Sequence, residues 1–489
     1  MRLKTGASGF MLKAMNEFDY DVIVVGGGSG GYAAARTAAN ADLRTAVVEG
    51  GKEVGGLCIL RGCMPTKALL YAAEVKHLAE HPAAWGIQSG KVSFDFAKVM
   101  ARKDALIKEF ADYRAQQLSE NTFTFIRAQA SFVDAHTITL STGEKLRARN
   151  FVISTGSVVA PSPLPFLSKL DYLTSDEALM LKKLPKSLII LGGGSVAVEF
   201  AQFFARFDVK VTLIQRSPHV LHEFDTDTSE VLEKVFKREG MTVYTNTTLT
   251  DAWQTNGLKG VSFLHEAKEV RVEAEEVLYA LGRVPNTKSL NLDKAGVEVE
   301  DRRIIANEEM QTSAKHIYAA GDCTGPYEIV HIAVMQGEAA GHNIAFPDKP
   351  RRMDYRLVNS VVFTEPQVAM VALTEKEALR QNIPYRAASY PFADHGKSMI
   401  MEAKDGFVKL LANPETGEII GGCCVGPVGG ELIHEIIAAM YKRMTVKELA
   451  AMPHYHPTLA EIWTYPAEEL ALEIQPSPVE LTDRQKALS

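Results

Sequence analysis

Two cysteines, Cys58 and Cys63, lie in the segment Gly55-Gly56-Leu57-Cys58-Ile59-Leu60-Arg61-Gly62-Cys63-Met64-Pro65-Thr66-Lys67. Zinc ribbons and thioredoxin-like motifs keep two residues between their cysteines, whereas four intervene here. On a regular helix such a step rises roughly 7.5 Å, beyond the ~7 Å limit on Cα separation in a disulfide. A bridge therefore requires a distorted turn, and Gly62 and Pro65 are expected to supply it. A reversible sulfur–sulfur bond in such a turn would relay electrons. The competing reading is two unrelated thiols in a buried turn.

The elements before this segment set its context. Tyr20–Val25 reads as a buried strand, Gly26-Gly27-Gly28-Ser29-Gly30-Gly31 as a glycine turn, Tyr32–Asn40 as a helix, and Thr45–Val48 as a second strand ending at Glu49. That order is the first half of a Rossmann unit. Gly26 permits the tight turn, Gly28 lets the backbone approach a pyrophosphate, Gly31 lets helix and strand pack closely, and Glu49 is placed to accept from a ribose. The grammar returns at Ser187–Leu191, Gly192-Gly193-Gly194-Ser195-Val196-Ala197, a helix Val198–Phe207 and a strand Lys210–Ile214. Two dinucleotide folds imply two dinucleotides. In the second copy Ala197 replaces the third glycine, and Gln215-Arg216 stands where the first copy has an acid. A ribose 2′-phosphate repels a carboxylate and attracts arginine, so this site leans towards NADPH over NADH.

Further strands ending in small-residue turns are expected at Val152–Ser157, Tyr279–Gly282 and Ile317–Asp322, which puts Gly156, Gly282 and Asp322 at strand ends. From about Arg351 the texture changes to alternating apolar strands, at Val358–Phe363, Gly406–Leu411 and Ile419–Val425, with helices at Glu431–Tyr441 and Thr445–Ala450. The expected fold class is α/β: two Rossmann-like dinucleotide-binding domains and a C-terminal α+β domain. The expected boundaries are 1–18 for a flexible extension, 19–157 and 286–350 for the two parts of the first domain, 158–285 for the second, 351–470 for the third, and 471–489 for a tail.

A chain of 489 residues, 46% apolar and 23% charged, suits several soluble domains. The net charge of −7 argues against a broad nucleic-acid surface, and no apolar run reaches membrane-span length. Met1–Phe18 has no secretory signature, and Met11 or Met15 is a candidate natural start. The five cysteines, Cys58, Cys63, Cys323, Cys423 and Cys424, suit a reducing compartment, so the expected location is the cytoplasm.

Together these pieces resemble the class I pyridine nucleotide–disulfide oxidoreductases, the group of glutathione reductase, dihydrolipoamide dehydrogenase and mercuric reductase, from about Tyr20 to Leu470. The resemblance implies FAD on Gly26, Gly28, Gly31, Glu49, Gly156 and Asp322. It implies the nicotinamide cofactor on Gly192, Gly194, Ala197, Arg216 and Gly282, and a third domain that dimerises the chain. It makes Cys58 the interchange thiol that attacks substrate and Cys63 the thiol nearest the flavin. Lys67 and Glu199 match an ion pair beside flavin N5. His456-Pro457-Thr458-Leu459-Ala460-Glu461 matches the acid–base signature, with Glu461 orienting His456 over the disulfide of a partner subunit. His454 reads as a bystander. Arg61 and Leu57 depart from the residues usual at those positions, Arg61 adding either local charge or a solvent-facing side chain.

The implied activity is NAD(P)H-dependent reduction of a small disulfide, or its reverse on a dithiol as in dihydrolipoamide dehydrogenase, with no metal in the site. A mercuric, other metal-ion or quinone reductase of the same fold is the alternative. Arg36 fits a glutathione-gripping position, but Glu338 stands where a second arginine is expected. Ala197 and Gln215 depart from dihydrolipoamide dehydrogenases. Ala197–Arg206, Val361–Ala369 and Arg443–Ala450 look closest to mercuric reductases, yet the tail Gln475–Ser489 lacks cysteine and His456 is retained. Cys423-Cys424 and Cys323 read as buried structural residues.

Overall fold

A computed structural model describes residues 17–120 and 122–474. The expected extension, apart from Glu17 and Phe18, and the tail from Gln475 lie outside the described residues. The chain divides into two compact units. One gathers the stretch up to Gly56, Asp112–Ser157 and Pro285–Met353; the other gathers Leu57–Ala111, Val158–Val284 and the stretch from Asp354.

The first unit is built on a sheet ordered Thr124–Arg127, Thr45–Glu49, Tyr20–Val25, Lys145–Ile153, Thr137–Leu140, Ala130–Asp134, with Ile317–Ala319 also pairing Lys145–Ile153. Tyr20–Val25 is sandwiched in parallel, Val24 lying opposite Val47 and Val152. Its last four residues are buried, as a strand covered on both faces must be. Lys145–Ile153 changes character midway. Its first half alternates exposed and buried where it pairs an antiparallel neighbour, and its last three residues are buried where the neighbours are parallel. The helix Ser29–Ala39 begins before the expected Tyr32, because Ser29-Gly30-Gly31 form its first turn. It packs on the helix Val330–Ala345 closely enough that a Cβ at Gly337 would sit 2.1 Å from the Gly30 carbonyl oxygen.

The second unit holds a four-stranded parallel sheet, ordered Thr242–Tyr244, Lys210–Ile214, Ser187–Leu191, Glu276–Tyr279. It also holds an antiparallel three-stranded sheet, Thr248–Thr255, Leu258–His265 and Lys268–Ala274. The C-terminal part is a five-stranded antiparallel sheet, ordered Asn359–Val362, Gln367–Ala372, Ile419–Gly426, Phe407–Ala412, Arg386–Pro391. Helices Gly429–Tyr441, Val446–Ala451 and Thr464–Glu473 accompany it, around a core that includes Trp463, Ile433, Ile436 and Phe392. Gln367–Ala372 and Arg386–Pro391 are strands beyond those expected from sequence. Among the described residues no helix is long and apolar enough to cross a membrane.

Candidate active site

In the first unit the glycine turn is forced by sterics. Gly26 adopts φ +104°, and a Cβ there would lie 2.2 Å from the Ser154 carbonyl oxygen. At Gly31 a Cβ would meet the Gly26 carbonyl oxygen at 1.8 Å, so the helix could not close onto the strand with any larger residue. Gly28 differs: it caps the helix Ser29–Ala39, and a Cβ there would meet only the Gly56 Cα at 3.8 Å. No crowding within the unit demands glycine there. Open space at a helix N-terminus beside a glycine turn suits a pyrophosphate. Glu49 accepts from the backbone N–H of Gly27 at 2.8 Å and of Gly51 at 2.6 Å, which fixes its carboxylate beside that turn. Asp322 follows Gly321, opens the short turn Asp322–Thr324, and accepts from the Ser157 hydroxyl at 2.7 Å. Gly156, at φ +67°, accepts at its carbonyl from the Asn286 N–H. A hydroxylated dinucleotide finds the acceptors and the clearance it needs here, and FAD fits.

The second unit repeats the turn. Gly192 has φ +121°, and a Cβ there would sit 2.4 Å from the Ala280 carbonyl oxygen, while Gly194 and Gly282 face open space. Ala197 is fully buried and accommodates its methyl group. Gln215 is buried against Gly193 and accepts from the Arg216 N–H at 3.0 Å. The Arg216 side chain is exposed. The strand end therefore presents a cation and an amide in place of a carboxylate, and a nicotinamide dinucleotide with or without a 2′-phosphate fits.

The two thiols occupy successive helices. Cys58 is in Gly56–Arg61 and Cys63 is the first residue of Cys63–Glu80. The break is Gly62 alone, at φ −132° and ψ −113°. A Cβ on Gly62 would lie 3.0 Å from the Leu57 carbonyl oxygen and 3.3 Å from the Cys58 Cα, so this folding-back admits only glycine comfortably. Pro65 does not distort the chain, contrary to expectation. It is the third residue of the second helix, where its missing N–H deprives no intrahelical bond. Both thiols are partly buried and unbridged. The hydrogen bond from Cys58 draws the Cys63 thiol down to about 7, against the opposing effect of burial and with help from the Lys67 ammonium. The same bond, with burial, pushes Cys58 far up. The arrangement thus favours the proton on Cys58 and thiolate character on Cys63, which also sits at a helix N-terminus.

Lys67, one turn further along that helix, donates to both Glu199 oxygens at 3.0 and 2.9 Å. Glu199, almost wholly buried, also accepts from the Phe363 N–H at 2.8 Å, and the Lys67 ammonium lies 4.6 Å from the centre of the Phe363 ring. Arg61 is half exposed, 4.0 Å from Asp176, so its charge is drawn to that carboxylate.

His456 presents its Nδ1 to Glu461 at 3.0 and 3.2 Å. The neighbouring Ile462 and Trp463 are fully buried, and the Trp463 Nε1–H donates to the Leu432 carbonyl. The acid is thereby anchored while the base projects: the Glu461 side chain is 11% exposed and that of His456 is 79% exposed. The His454 side chain is only 7% exposed, with Nε2 2.5 Å from Glu435 and Nδ1 against the Met452 carbonyl. Sequence reasoning missed His395, fully buried with Nε2 3.4 Å from Glu461. No motif marks it, since nothing in its own segment links it to a turn some sixty-six residues away.

The remaining cysteines stay out of this chemistry. Cys423 packs into the cluster of Phe200, Phe203 and Phe236, and Cys424 into that of Trp463 and Ile433. Successive residues of a strand face opposite sides, so the vicinal pair is split across its sheet. Burial pushes Cys423 up to about 12 and raises Cys424 well above the ordinary thiol range. Cys323 is fully buried, against the Ile153 and Ala320 carbonyls, and is pushed up to about 11. Among the described residues no cluster of three or more His, Cys, Asp or Glu side chains is arranged to hold a metal. Arg36 pairs with Glu338 at 3.0 Å.

Residues 20–337 match the family profile described as pyridine nucleotide-disulphide oxidoreductase, and residues 358–467 match that family's dimerisation domain. The chain belongs to the pyridine nucleotide–disulfide oxidoreductase family, and it is a flavin-dependent disulfide oxidoreductase. It is 34% identical over 457 residues to a dihydrolipoyl dehydrogenase of Geobacillus stearothermophilus, covering 92% of this chain and 96% of that one. It is 33% identical over 445 residues to a mercuric reductase of Staphylococcus aureus, covering 91% and 81%. An HOCl-induced flavoprotein disulfide reductase from Escherichia coli superposes with TM-score 0.81 at 25% identity, covering 92% and 99%. The dimerisation-domain match supports a homodimer.

Proposed function

We propose that this protein passes electrons between NADPH and a small organic disulfide through Cys58 and Cys63. When bound, FAD would take hydride from the nicotinamide and supply the two electrons that reduce a Cys58–Cys63 disulfide to the thiol pair. Gly26, Gly28, Gly31, Glu49, Gly156 and Asp322 hold it; Gly192, Gly194, Ala197, Arg216 and Gly282 hold the nicotinamide cofactor. Lys67, neutralised by Glu199, keeps a fixed positive charge near Cys63 and favours its thiolate. Cys58, protonated at rest, gives its proton to His456 and attacks one sulfur of the substrate. His456 returns a proton to the departing thiolate, with Glu461 orienting the ring. The Cys63 thiolate then attacks Cys58, restoring the disulfide and expelling the second sulfur as a thiolate that takes its proton from solvent. With a dithiol substrate the same steps run in reverse. A ring that is 79% exposed although its carboxylate is anchored suits a base that works on the thiols of a second subunit.

The observation that carries this reading is the arrangement of two partly buried thiols on either side of the Gly62 break, with the Lys67–Glu199 ion pair one turn further along the Cys63 helix. The named relatives favour a dithiol or disulfide substrate and leave Hg(II) as the second reading. The splitting of Cys423 from Cys424 weighs against Hg(II) transfer through that pair. Glu338 cancels the charge on Arg36 and weighs against a carboxylate-rich substrate such as glutathione. The test is steady-state turnover with NADPH and NADH across lipoamide, other low-molecular-weight disulfides and Hg(II). At least one disulfide should turn over and should stop doing so in Cys58→Ser; turnover surviving that substitution refutes the relay.

A further inference from the structure

The Glu461 carboxylate has a second imidazole behind it. His395 follows the turn Phe392–Asp394 and caps the short helix Gly396–Ile400. Its ring is fully buried, with Nδ1 2.8 Å from the equally buried Ser398 hydroxyl. Nε2 lies 3.4 Å from Glu461 Oε1 without the alignment of a hydrogen bond, and has no hydrogen-bond partner among the described residues. If the Ser398 hydroxyl donates to Nδ1, the ring's proton must sit on Nε2, on the side of the carboxylate. Glu461 is thus held between two rings, one exposed and one with no path to solvent.

Burial keeps His395 below the usual histidine range, against the pull of Glu461 and with the opposition of His456 across it. The other titratable groups against the ring are phenols. Tyr465 lies 6.3 Å away ring to ring and stacks on Tyr390 at 4.0 Å, whose hydroxyl donates to the Asp394 carbonyl. Burial raises the Tyr390 phenol above its usual range. Burial therefore disfavours the charged form of His395.

We propose that His395 is a positioning residue whose buried Nε2 edge faces the Glu461 carboxylate from behind and draws on its charge electrostatically, so that it sets the basicity of His456. The proposal rests on the acid–base reading of His456. Without His395, the carboxylate's whole charge falls on His456 and its imidazolium is stabilised.

The test uses the full-length holoenzyme labelled in its histidines, with the His456 titration followed by NMR and assigned by His456→Gln, alongside the pH profile of disulfide turnover. In His395→Phe the His456 midpoint should rise by about half a pH unit, as expected for losing one polar group that competes for the carboxylate's charge. The corresponding limb of kcat should move with it, at unchanged KM for the nicotinamide cofactor. His395→Gln, which keeps an N–H donor, should restore both. If His395→Phe does not fold, Ser398→Ala is read instead and should shift the midpoint in the same direction. A midpoint that stays at the wild-type value in the folded variant overturns the proposal. Undiminished turnover in His456→Gln would instead sink the acid–base reading, a result separable from the NMR shift.

Discussion

Replacing Cys58 by alanine isolates the effect that makes Cys63 acidic. Five influences act on the Cys63 thiol: the hydrogen bond from Cys58, the Lys67 charge and its own backbone N–H lower its pKa, and burial and the Glu199 charge raise it. The hydrogen bond is the largest. A hydrogen bond to a charged group contributes about 1.5–3 kcal/mol, and about 1.4 kcal/mol corresponds to one pH unit. Removing the donor while burial remains should therefore carry Cys63 from about 7 to roughly 8–9. Cys58→Ser keeps a hydroxyl donor in place and should leave Cys63 near its present value. The assay is the pH dependence of alkylation by iodoacetamide in the two variants, in which Cys63 is the reactive thiol, with loss of the Cys63-containing peptide followed by mass spectrometry. Coincident midpoints for the alanine and serine variants would show that Lys67 and the helix N-terminus alone set the acidity, and the shared-proton argument would fall.

Three other perturbations separate the remaining parts. Arg216→Ser should raise KM for NADPH by about tenfold or more, the scale of one charge-assisted hydrogen bond, and leave KM for NADH almost unchanged; equal effects on both cofactors would return Arg216 to the solvated surface. Lys67→Met leaves the buried Glu199 with only the Phe363 N–H, and should lower unfolding free energy by about 2–3 kcal/mol, read from the urea midpoint at constant slope. Burial raises the Glu365 carboxyl to about 7. The folded state then binds more protons than the unfolded chain between the ordinary carboxylate range and that value, so native stability declines as pH rises through this window. Glu365→Gln should remove that decline, stabilising the protein at pH above about 8 by on the order of 2 kcal/mol and hardly at all at low pH; parallel curves for variant and wild type would contradict the burial argument.

What could be read from sequence divides along a physical line. The strands Tyr20–Val25, Ser187–Leu191 and Lys210–Ile214 fall where expected, because a short apolar run closed by glycines has few alternatives. Both helix starts, at Ser29 and Ser195, precede the expected positions, because glycine and serine look like loop residues when their only role is to let a turn begin close to a strand. The C-terminal sheet was half legible. Asn359–Val362, Phe407–Ala412 and Ile419–Gly426 announce themselves by their apolar residues, whereas Arg386–Pro391 carries arginine, serine and a terminal proline and is held by its pairing with Phe407–Ala412. Local pattern sees only what local pattern stabilises.

The same line runs through the site. Cys58, Cys63 and Lys67 share one short segment, and His456 and Glu461 another, so their spacing is visible without a fold. Gly62 supplies the break as expected and Pro65 does not, because spacing alone cannot say which residue absorbs a change of direction; the close approach of a Cβ to the Leu57 carbonyl decides it. Glu199 and His395 are placed by tertiary packing. Glu199 was found through a family resemblance, and His395 had no such guide. Its companions are a serine three residues on and a carboxylate from a distant turn, a triad assembled only when the Phe392–Ile400 segment folds against Ala460–Trp463. If that assembly tunes His456, the reactivity of the exposed ring is decided by a side chain that solvent never reaches, and screening surface residues alone would miss it.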